Sequence, residues 1–413
     1  MSKSQRVWIV SELYYPELTS TGYFLTGIAE GLADAFDVHV LCGQPSYLAR
    51  GVRAPAREVR KGVDVRRCRA TTLDKNKLLF RLFNLITIST SIFTAALFSF
   101  KRGDIVLAVT NPPALPFGMA LACRLTGARS ILRIEDVYPE VLTRVGMLKA
   151  ESLAARIMDR ASRWLYNRCD RIVVLGRDME KLALAKLRTR PERVALIPNW
   201  GDTDGIVPQP AEVNQMLGRL NLRGCFVVQY CGNIGRTHGI RDIADAAELL
   251  AAEPEFQFLL IGWGARKKWA IEQKQARQLD NLIILDPIPA EQFCDGLNGC
   301  SVAIISFSSG MAGISVPSRM YNAMAAGKPI VAVCDEDSEL ASVVREEDIG
   351  WIVPPGRPDL IAAALKEAQA GPERVRAMGE RARRAAEMKY TLGHVLDDYR
   401  RLIEGLEPND QRF

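Results

Sequence analysis

The sequence predicts an α/β protein made of two Rossmann-like domains, and three observations carry that prediction. Short apolar runs alternate with helical stretches along the chain, the alternation breaks once at a segment rich in Gly, Asp and Pro, and 413 residues at 48% hydrophobic content suffice for two cores. The first series is VWIVSELY, VHVLCG, DIVLAVT, RSILRIED and RIVVLG; the second is CFVVQYCG, FQFLLIGWG, NLIILDPI, SVAIISF and PIVAVC. Runs this apolar suit strands covered on both faces by helices, which is the setting of parallel sheets. Residues 195–210, ALIPNWGDTDGIVPQP, read as the linker, so the domains are placed at 1–203 and 204–389, with 390–413 as a final helix and tail. Ligands of such sheets sit outside the carboxyl ends of the strands, which puts the expected site in a cleft that both domains face.

At the N-terminus, MSKSQRVWIVSELYYP holds only four consecutive apolar residues before charge and proline return, too short for a secretory signal, so a cytoplasmic location is expected. Between the second and third strands the chain turns basic: residues 50–102 carry thirteen Lys or Arg against Glu58, Asp64 and Asp74, while the whole chain is only +6. Within it, residues 82–100 form a nineteen-residue uncharged stretch, diluted by Asn84 and several Ser and Thr and flanked by cations on both sides. A crossing helix needs about 20 predominantly apolar residues. The expectation is therefore a helix docked on the inner membrane surface, with Arg60, Lys61, Arg66, Arg67, Arg69, Phe80 and Phe83 facing the lipid. The competing reading is a helix buried in the N-terminal domain or in a dimer contact. Nucleic acid is a poorer explanation of the basic region, because no aromatic-interleaved basic motif is present, and no nucleic-acid partner is expected. The oligomeric state is not legible.

RSILRIED ends at the mouth of the first sheet on Asp136, in the segment E-D-V-Y-P-E. An aspartate there can cap a helix or carry a proton, and Glu140 can favour a helix N-terminus. In the second series, CFVVQYCG runs into the glycine loop 232–239 and then the helical pattern IRDIADAAELLAA, an arrangement that can cradle a phosphate. SVAIISF is followed by a small-residue loop, 308–316, whose amides can approach a ligand; Pro317 suits a first helical turn, Arg319 adds a fork of donors, and Gly327 suits the left-handed position that ends the helix before PIVAVC. A phosphate at such a helix start gains up to about 2 kcal/mol from the dipole. Helical patterning returns over 358–388 and again over 396–406.

Nine scattered cysteines with no C-x-x-C pair read as reduced core thiols, and the three histidines at 39, 238 and 394 are too dispersed for a local metal motif; no metal or cofactor is expected.

The tract FSSGMAGISVPSRMYNAMAAGKPIVAV, together with YYPELTSTGYFLTGIAEGLADAFDVHVL, RIEDVYPE, CGNIGRTHG, LLIGWG and the tail YTLGHVLDDYRRLIEGL, resembles the retaining GT-B glycosyltransferases of family 4, in particular the branch of colanic acid and O-antigen biosynthesis. The resemblance spans nearly the whole chain. It implies the GT-B fold, with the C-terminal helix crossing back onto the N-terminal domain. It also implies transfer of a sugar from a UDP-sugar or GDP-sugar to a polyprenyl-diphosphate-linked acceptor, with retention and without metal.

Carried over residue by residue, the resemblance puts the donor diphosphate at Gly22, Ser315, Ser318 and Arg319, and Arg236, out of the family's register, is expected to supply the charge that Asn233 and His238 do not. Gly22 is the glycine expected in the loop after the first strand. Nucleotide and ribose fall to Gly232, Asn233, Gly262, Ile288 and Asn322, with Asp286 and Pro287 beside Ile288 and Trp263 stacking or packing. Asp136 is the catalytic candidate, although in retaining enzymes of this fold the leaving phosphate can itself take the acceptor proton. The chain departs from the pattern where Asn233 and His238 replace an Arg and a Lys, and where Ile314 and Asn322 replace two glutamates that hold donor hydroxyls. An apolar Ile314 would favour a deoxy or N-acetylated sugar. A nucleotide-sugar epimerase of the same architecture and a non-catalytic binding subunit are the alternatives.

Overall fold

The structure, a computed structural model, describes residues 5–17, 19–46, 51–71, 73 and 78–406. Arg50, Thr72 and residues 74–77 of the basic region, and the tail beyond 406, lie outside the described residues. The chain divides into two compact units: residues up to 140, 148–198 and from 392 onward, and residues 141–147 with 199–391. The main division falls after Pro198, five residues before the expected position.

The first unit runs β1 (Arg6–Val10), α1 (Ser20–Leu32), β2 (Asp37–Cys42), β3 (Arg57–Arg60), β4 (Val63–Arg67), α2 (Leu78–Ser99), β5 (Ile105–Val109), α3 (Leu115–Thr126) and β6 (Arg129–Arg133). It continues through α4 (Glu140–Arg144), of which only Glu140 falls in this unit, then α5 (Leu153–Arg168), β7 (Arg171–Val174), α6 (Arg177–Lys186) and β8 (Val194–Leu196). Its eight strands are ordered β3-β4-β2-β1-β5-β6-β7-β8, parallel except for β3 against β4. All five residues of β5 and of β6 are buried, as two-sided coverage requires. The β3–β4 hairpin lies inside the region read as basic and membrane-facing. It is an edge pair whose Val63 and Val65 point inward while charges alternate outward.

Helix α2 is half a core helix. Ile88, Ile92 and Ala96 pack with Trp8, Val10 and Met119, whereas Phe83 and Ile86 are exposed. Asn84 is buried yet satisfied: its amide brackets the preceding loop, with Nδ2 donating to Leu73 O at 2.9 Å and Oδ1 accepting from Leu73 N at 3.0 Å. Among the described residues no helix is long and apolar enough to cross a membrane.

The second unit runs α7 (Gln215–Arg219), β9 (Phe226–Asn233), α8 (Ile240–Leu249), β10 (Phe256–Trp263), α9 (Lys267–Ala276), β11 (Leu282–Leu285), α10 (Phe293–Asn298) and β12 (Val302–Ser306). Then follow α11 (Arg319–Ala325), β13 (Ile330–Val333), α12 (Glu339–Glu347), β14 (Gly350–Val353), α13 (Pro358–Ala370) and α14 (Pro372–Lys389). The sheet, β11-β10-β9-β12-β13-β14, is parallel throughout.

The last helix, α15 (Leu392–Glu404), belongs to the first unit, as the crossing-back expectation required. Leu396 lies so close to α1 that a Cβ on Gly31 would come within 2.3 Å of its Cδ1. On the same helix the Tyr399 hydroxyl accepts from Nη1 of the fully buried Arg133 at 2.7 Å.

Candidate active site

Gly232, next to the end of strand β9, has φ 140° and is in register with Gly262 of β10 at φ 144°. A Cβ on Gly262 would stand 1.9 Å from the Gly232 carbonyl oxygen, and one on Gly232 would meet the Arg319 guanidinium carbon at 3.5 Å. Gly262 therefore admits the Gly232 backbone, and Gly232 admits the Arg319 guanidinium. The loop after β9 is tied to the loop after β12 by Ser308 N donating to Thr237 O at 2.9 Å and by the Ser306 hydroxyl donating to Gly239 O at 3.1 Å.

Arg319 opens α11. Its guanidinium carbon lies 4.4 Å from the centroid of the buried Tyr230 ring, and its Nη2 is 2.8 Å from His238 Nε2. The Tyr230 hydroxyl donates to Asn233 O at 2.6 Å, and the His238 ring stacks on Phe307 at 5.4 Å. The His238 Nδ1 meanwhile faces the Gly235 N–H at 3.2 Å. Two donors thus aim at one imidazole, and desolvation together with the Arg319 charge pushes its pKa well below the usual histidine range. His238 is a neutral partner of Arg319. The other terminal nitrogen, Nη1 of Arg319, is buried with no hydrogen-bond partner. A buried cationic donor without an acceptor is costly, and an oxyanion is the acceptor that matches it.

The start of α11 differs from expectation. Pro317 precedes the helix, and Met320 N and Tyr321 N bond back to Pro317 O and Ser318 O, both at 3.2 Å, in a tight first turn. Ser318 occupies the cap position without a side-chain capping bond; Ser315 and Ser318 are half-buried beside Arg319 in sequence. Gly327 does take the left-handed conformation past the helix end, at φ 64°.

Several predicted site residues are placed otherwise. The amides of the loop expected to receive a ligand are partly occupied: Gly310 N, Met311 N and Ala312 N donate to the Asp335 carboxylate at 2.9, 2.8 and 3.1 Å. The chain supplies its own anion there. Arg236 is exposed on its loop, and His238 rather than Arg236 contacts Arg319. Gly22 lies in the first turn of α1 rather than in a loop, and a Cβ there would strike Glu17 O at 2.4 Å, so the local chain path already demands glycine. Ile314 is 3% exposed, a core contact that gives no face to a sugar. Ile288 packs over Gly296, where a Cβ would come within 2.2 Å of its Cδ1. Asn233 is exposed and Asn322, one turn beyond Arg319, is half-buried.

One residue outside the sequence reading organises the neighbouring strand ends. The Lys267 ammonium donates to Gly262 O and Leu285 O, each at 2.9 Å, and to Asp286 Oδ1 at 2.6 Å, which holds the Asp286 carboxyl below its usual range.

In the first unit, Asp136 follows β6 and is half-buried. Its peptide is fixed by Thr110, whose Oγ1 accepts from Glu135 N at 3.0 Å and Asp136 N at 3.3 Å and donates to Asp136 O at 3.1 Å. Glu135 pairs with buried Arg133 at 2.7 Å. On the far side, Lys186 of α6, also missed by the sequence reading, is buried and reaches Glu140 at 2.6 Å, Asp159 at 2.9 Å and Tyr138 O at 3.2 Å. Glu140 does open α4, but its charge is met by that lysine.

Of the residues expected to face lipid, Arg67 must be withdrawn. It is 5% exposed, with donors spent on Pro55 O at 2.8 Å, Tyr15 O at 2.7 Å and Glu58 at 2.6 Å. Arg60 pairs with Glu30 at 2.7 Å over the Tyr15 ring, and Arg66 donates to the Ser99 hydroxyl at 3.2 Å; both are half-buried. Lys61, Arg69, Phe80 and Phe83 are exposed. All nine cysteines are free, and burial pushes the Cys42 and Cys231 thiols up to about 12 and Cys300 to about 11.

Comparison with known proteins bears on this geometry. A glycosyl transferase 4-like domain model matches residues 21–200, and a glycosyl transferases group 1 model matches residues 222–385. The probable glycosyltransferase WbjE of Pseudomonas aeruginosa is 34% identical over 372 residues, covering 88% of this chain and 89% of that protein. The chain belongs to the GT-B glycosyltransferases. A second relative of this glycosyltransferase, the putative colanic acid biosynthesis glycosyl transferase WcaI of Escherichia coli K12, is 25% identical over 406 residues, covering 94% of this chain and 98% of that one. Among solved structures, Anabaena HepE in complex with UDP and glucose aligns with a TM-score of 0.74 at 15% identity, covering 97% of this chain and all of that one. At that identity the likeness is one of fold.

Proposed function

We propose that this glycosyltransferase moves a sugar from a UDP-sugar or GDP-sugar to a polyprenyl-diphosphate-linked glycan precursor in surface polysaccharide biosynthesis, at the cytoplasmic membrane face, with retention and without a metal. The carrying observation is the buried, unpartnered Nη1 of Arg319 at the mouth of a parallel sheet. When the bond from the anomeric carbon to the diphosphate breaks, negative charge grows on the leaving phosphate. A guanidinium already held by Tyr230 and neutral His238 stabilises that charge without reorganising. Removing one such donor costs about 10²–10³ in turnover. Asp136 receives or orients the acceptor hydroxyl proton, with its backbone fixed by Thr110.

The surface-polysaccharide setting follows the name of WcaI, and the uridine donor follows the ligands of the HepE complex. Membership of the glycosyltransferases disfavours the epimerase reading. The test is incubation of the protein with UDP- and GDP-sugars and a polyprenyl-diphosphate-linked acceptor, with no divalent cation, and proton NMR of the product. Transfer with the donor's anomeric configuration kept supports the proposal; transfer with inversion, or only with added metal, sinks it.

A further inference from the structure

Three adjacent helices of the first unit share one outward apolar face. Phe83 and Ile86 of α2 are 55% and 53% exposed, Leu121 and Leu125 of α3 are exposed, and so are Ile157 and Trp164 of α5. The helices are laterally joined: a Cβ on Gly118 of α3 would lie 3.6 Å from the Phe93 ring of α2, and Phe117 of α3 stacks on Trp164 of α5 at 6.4 Å. A contiguous patch of this kind on a folded surface marks a place where something binds.

Charge says what binds. Across α2, α3 and α5 the sequence places six arginines against one acid, Asp159, and that acid is held by Arg163 and Lys186. Arg156, Arg160 and Arg168 are exposed along α5 on the side of Ile157 and Trp164, and Arg168 lies 5.8 Å from the Trp164 ring centroid. A two-fold contact with a second copy would bring these arginines against one another, with no exposed carboxylate on the helices to meet them. An anionic bilayer supplies both partners at once: phosphate headgroups for the arginines, and an interfacial layer for Trp164 and the aliphatic side chains.

We infer that the α2–α3–α5 face, anchored by the arginines of α5, is the surface that docks this enzyme on an anionic membrane. The charges of residues 60–69 are not the anchor, because Arg60, Arg66 and Arg67 are engaged within the fold. The inference rests on the proposed lipid-linked acceptor for its purpose, but vesicle binding is measurable without any acceptor.

The test is co-sedimentation of the full chain with phosphatidylcholine vesicles containing about 30 mol% phosphatidylglycerol, and with phosphatidylcholine alone. The wild-type protein is expected to bind the anionic vesicles in a salt-sensitive way. Arg156→Glu/Arg160→Glu/Arg168→Glu and, independently, Phe83→Ser/Ile86→Ser should each weaken partitioning by about tenfold or more. Lys61→Glu/Arg69→Glu should change it by less than about twofold. Circular dichroism and UDP affinity identical to wild type show that each variant is folded. Unchanged vesicle binding by the α5 triple variant, loss confined to Lys61→Glu/Arg69→Glu, or a wild-type dimer that Phe83→Ser/Ile86→Ser dissociates while vesicles go unbound would each overturn the inference. Vesicle binding without glycosyl transfer to a lipid-linked acceptor keeps the surface and removes the acceptor reading. Transfer to that acceptor with no vesicle binding does the reverse.

Discussion

Arg319 and His238 meet nitrogen to nitrogen, 2.8 Å apart, and because a guanidinium can only donate, the imidazole must offer its lone pair. The pair works while His238 is neutral. Its pKa is depressed in the fold by desolvation and by Arg319, so the unfolded chain takes up the proton first as pH falls. The contribution of His238 to stability is therefore complete above the unfolded value of about 6.5 and is lost as pH drops from there toward the folded value. Thermal unfolding between pH 7.5 and 5 should show this loss, whereas the Arg319–His238 pair of the folded protein stays intact until pH falls to the depressed folded value. His238→Gln, which keeps an acceptor but cannot titrate, should flatten the stability profile.

Asp136 is predicted to act in turnover rather than in donor binding. Asp136→Asn should lower turnover by about 10²–10⁴, with the UDP dissociation constant within twofold of wild type. Thr110→Val removes the hydroxyl that fixes the Glu135 and Asp136 peptides and leaves two amides without that partner, at a cost of about 1–3 kcal/mol. Its turnover should fall less than that of Asp136→Asn while its melting temperature falls more. Steady-state kinetics beside calorimetry separates the two.

Asp335 holds three consecutive amides of the loop that leads to Arg319. Asp335→Ala should destabilise the protein by about 2–4 kcal/mol and raise the donor KM more than it lowers kcat, because the loop loses its internal anion. Asp335→Asn, which retains one acceptor oxygen, should fall between the two. Urea unfolding and donor titrations give the comparison.

The last helix is docked through close packing at Gly31, the hydrogen bond at Tyr399, and Arg400, which donates to Gly31 O and pairs with Asp34, both at 3.1 Å. Tyr399→Phe should cost about 1–3 kcal/mol by taking an acceptor from buried Arg133. Gly31→Val should cost at least about 1–3 kcal/mol by overpacking against Leu396. Hydrogen exchange should rise first across 392–404 in both variants.

Much of the fold was legible because strands such as Ile105–Val109 and Val302–Ser306 are apolar on both faces, a pattern that only a covered parallel sheet rewards. The β3–β4 edge hairpin was not, since REVR exposes its one valine, Val59, VDVRR buries a cation, Arg67, and the two inward valines at 63 and 65 are too few to show a period. In the site, Arg319 and the glycine loop that opens at Gly232 were readable from the residues themselves, whereas Gly262 came with the family resemblance. His238 was read only as a departure, because its role depends on a guanidinium eighty-one positions away. Lys186 did carry a signal, lying with Met179 and Ala183 on the apolar stripe of α6, where a cation survives only if paired. Arg67 misled because a basic run does not say which of its members turn inward to carbonyls.

The central claim is that Arg319 grips the donor's diphosphate, and calorimetric titration of UDP and GDP into the wild-type protein and Arg319→Ala tests it most directly. The account predicts that the preferred diphosphate binds Arg319→Ala about tenfold to a hundredfold more weakly, while the corresponding nucleoside binds both proteins alike. Equal affinity of the diphosphate for the two proteins would contradict it.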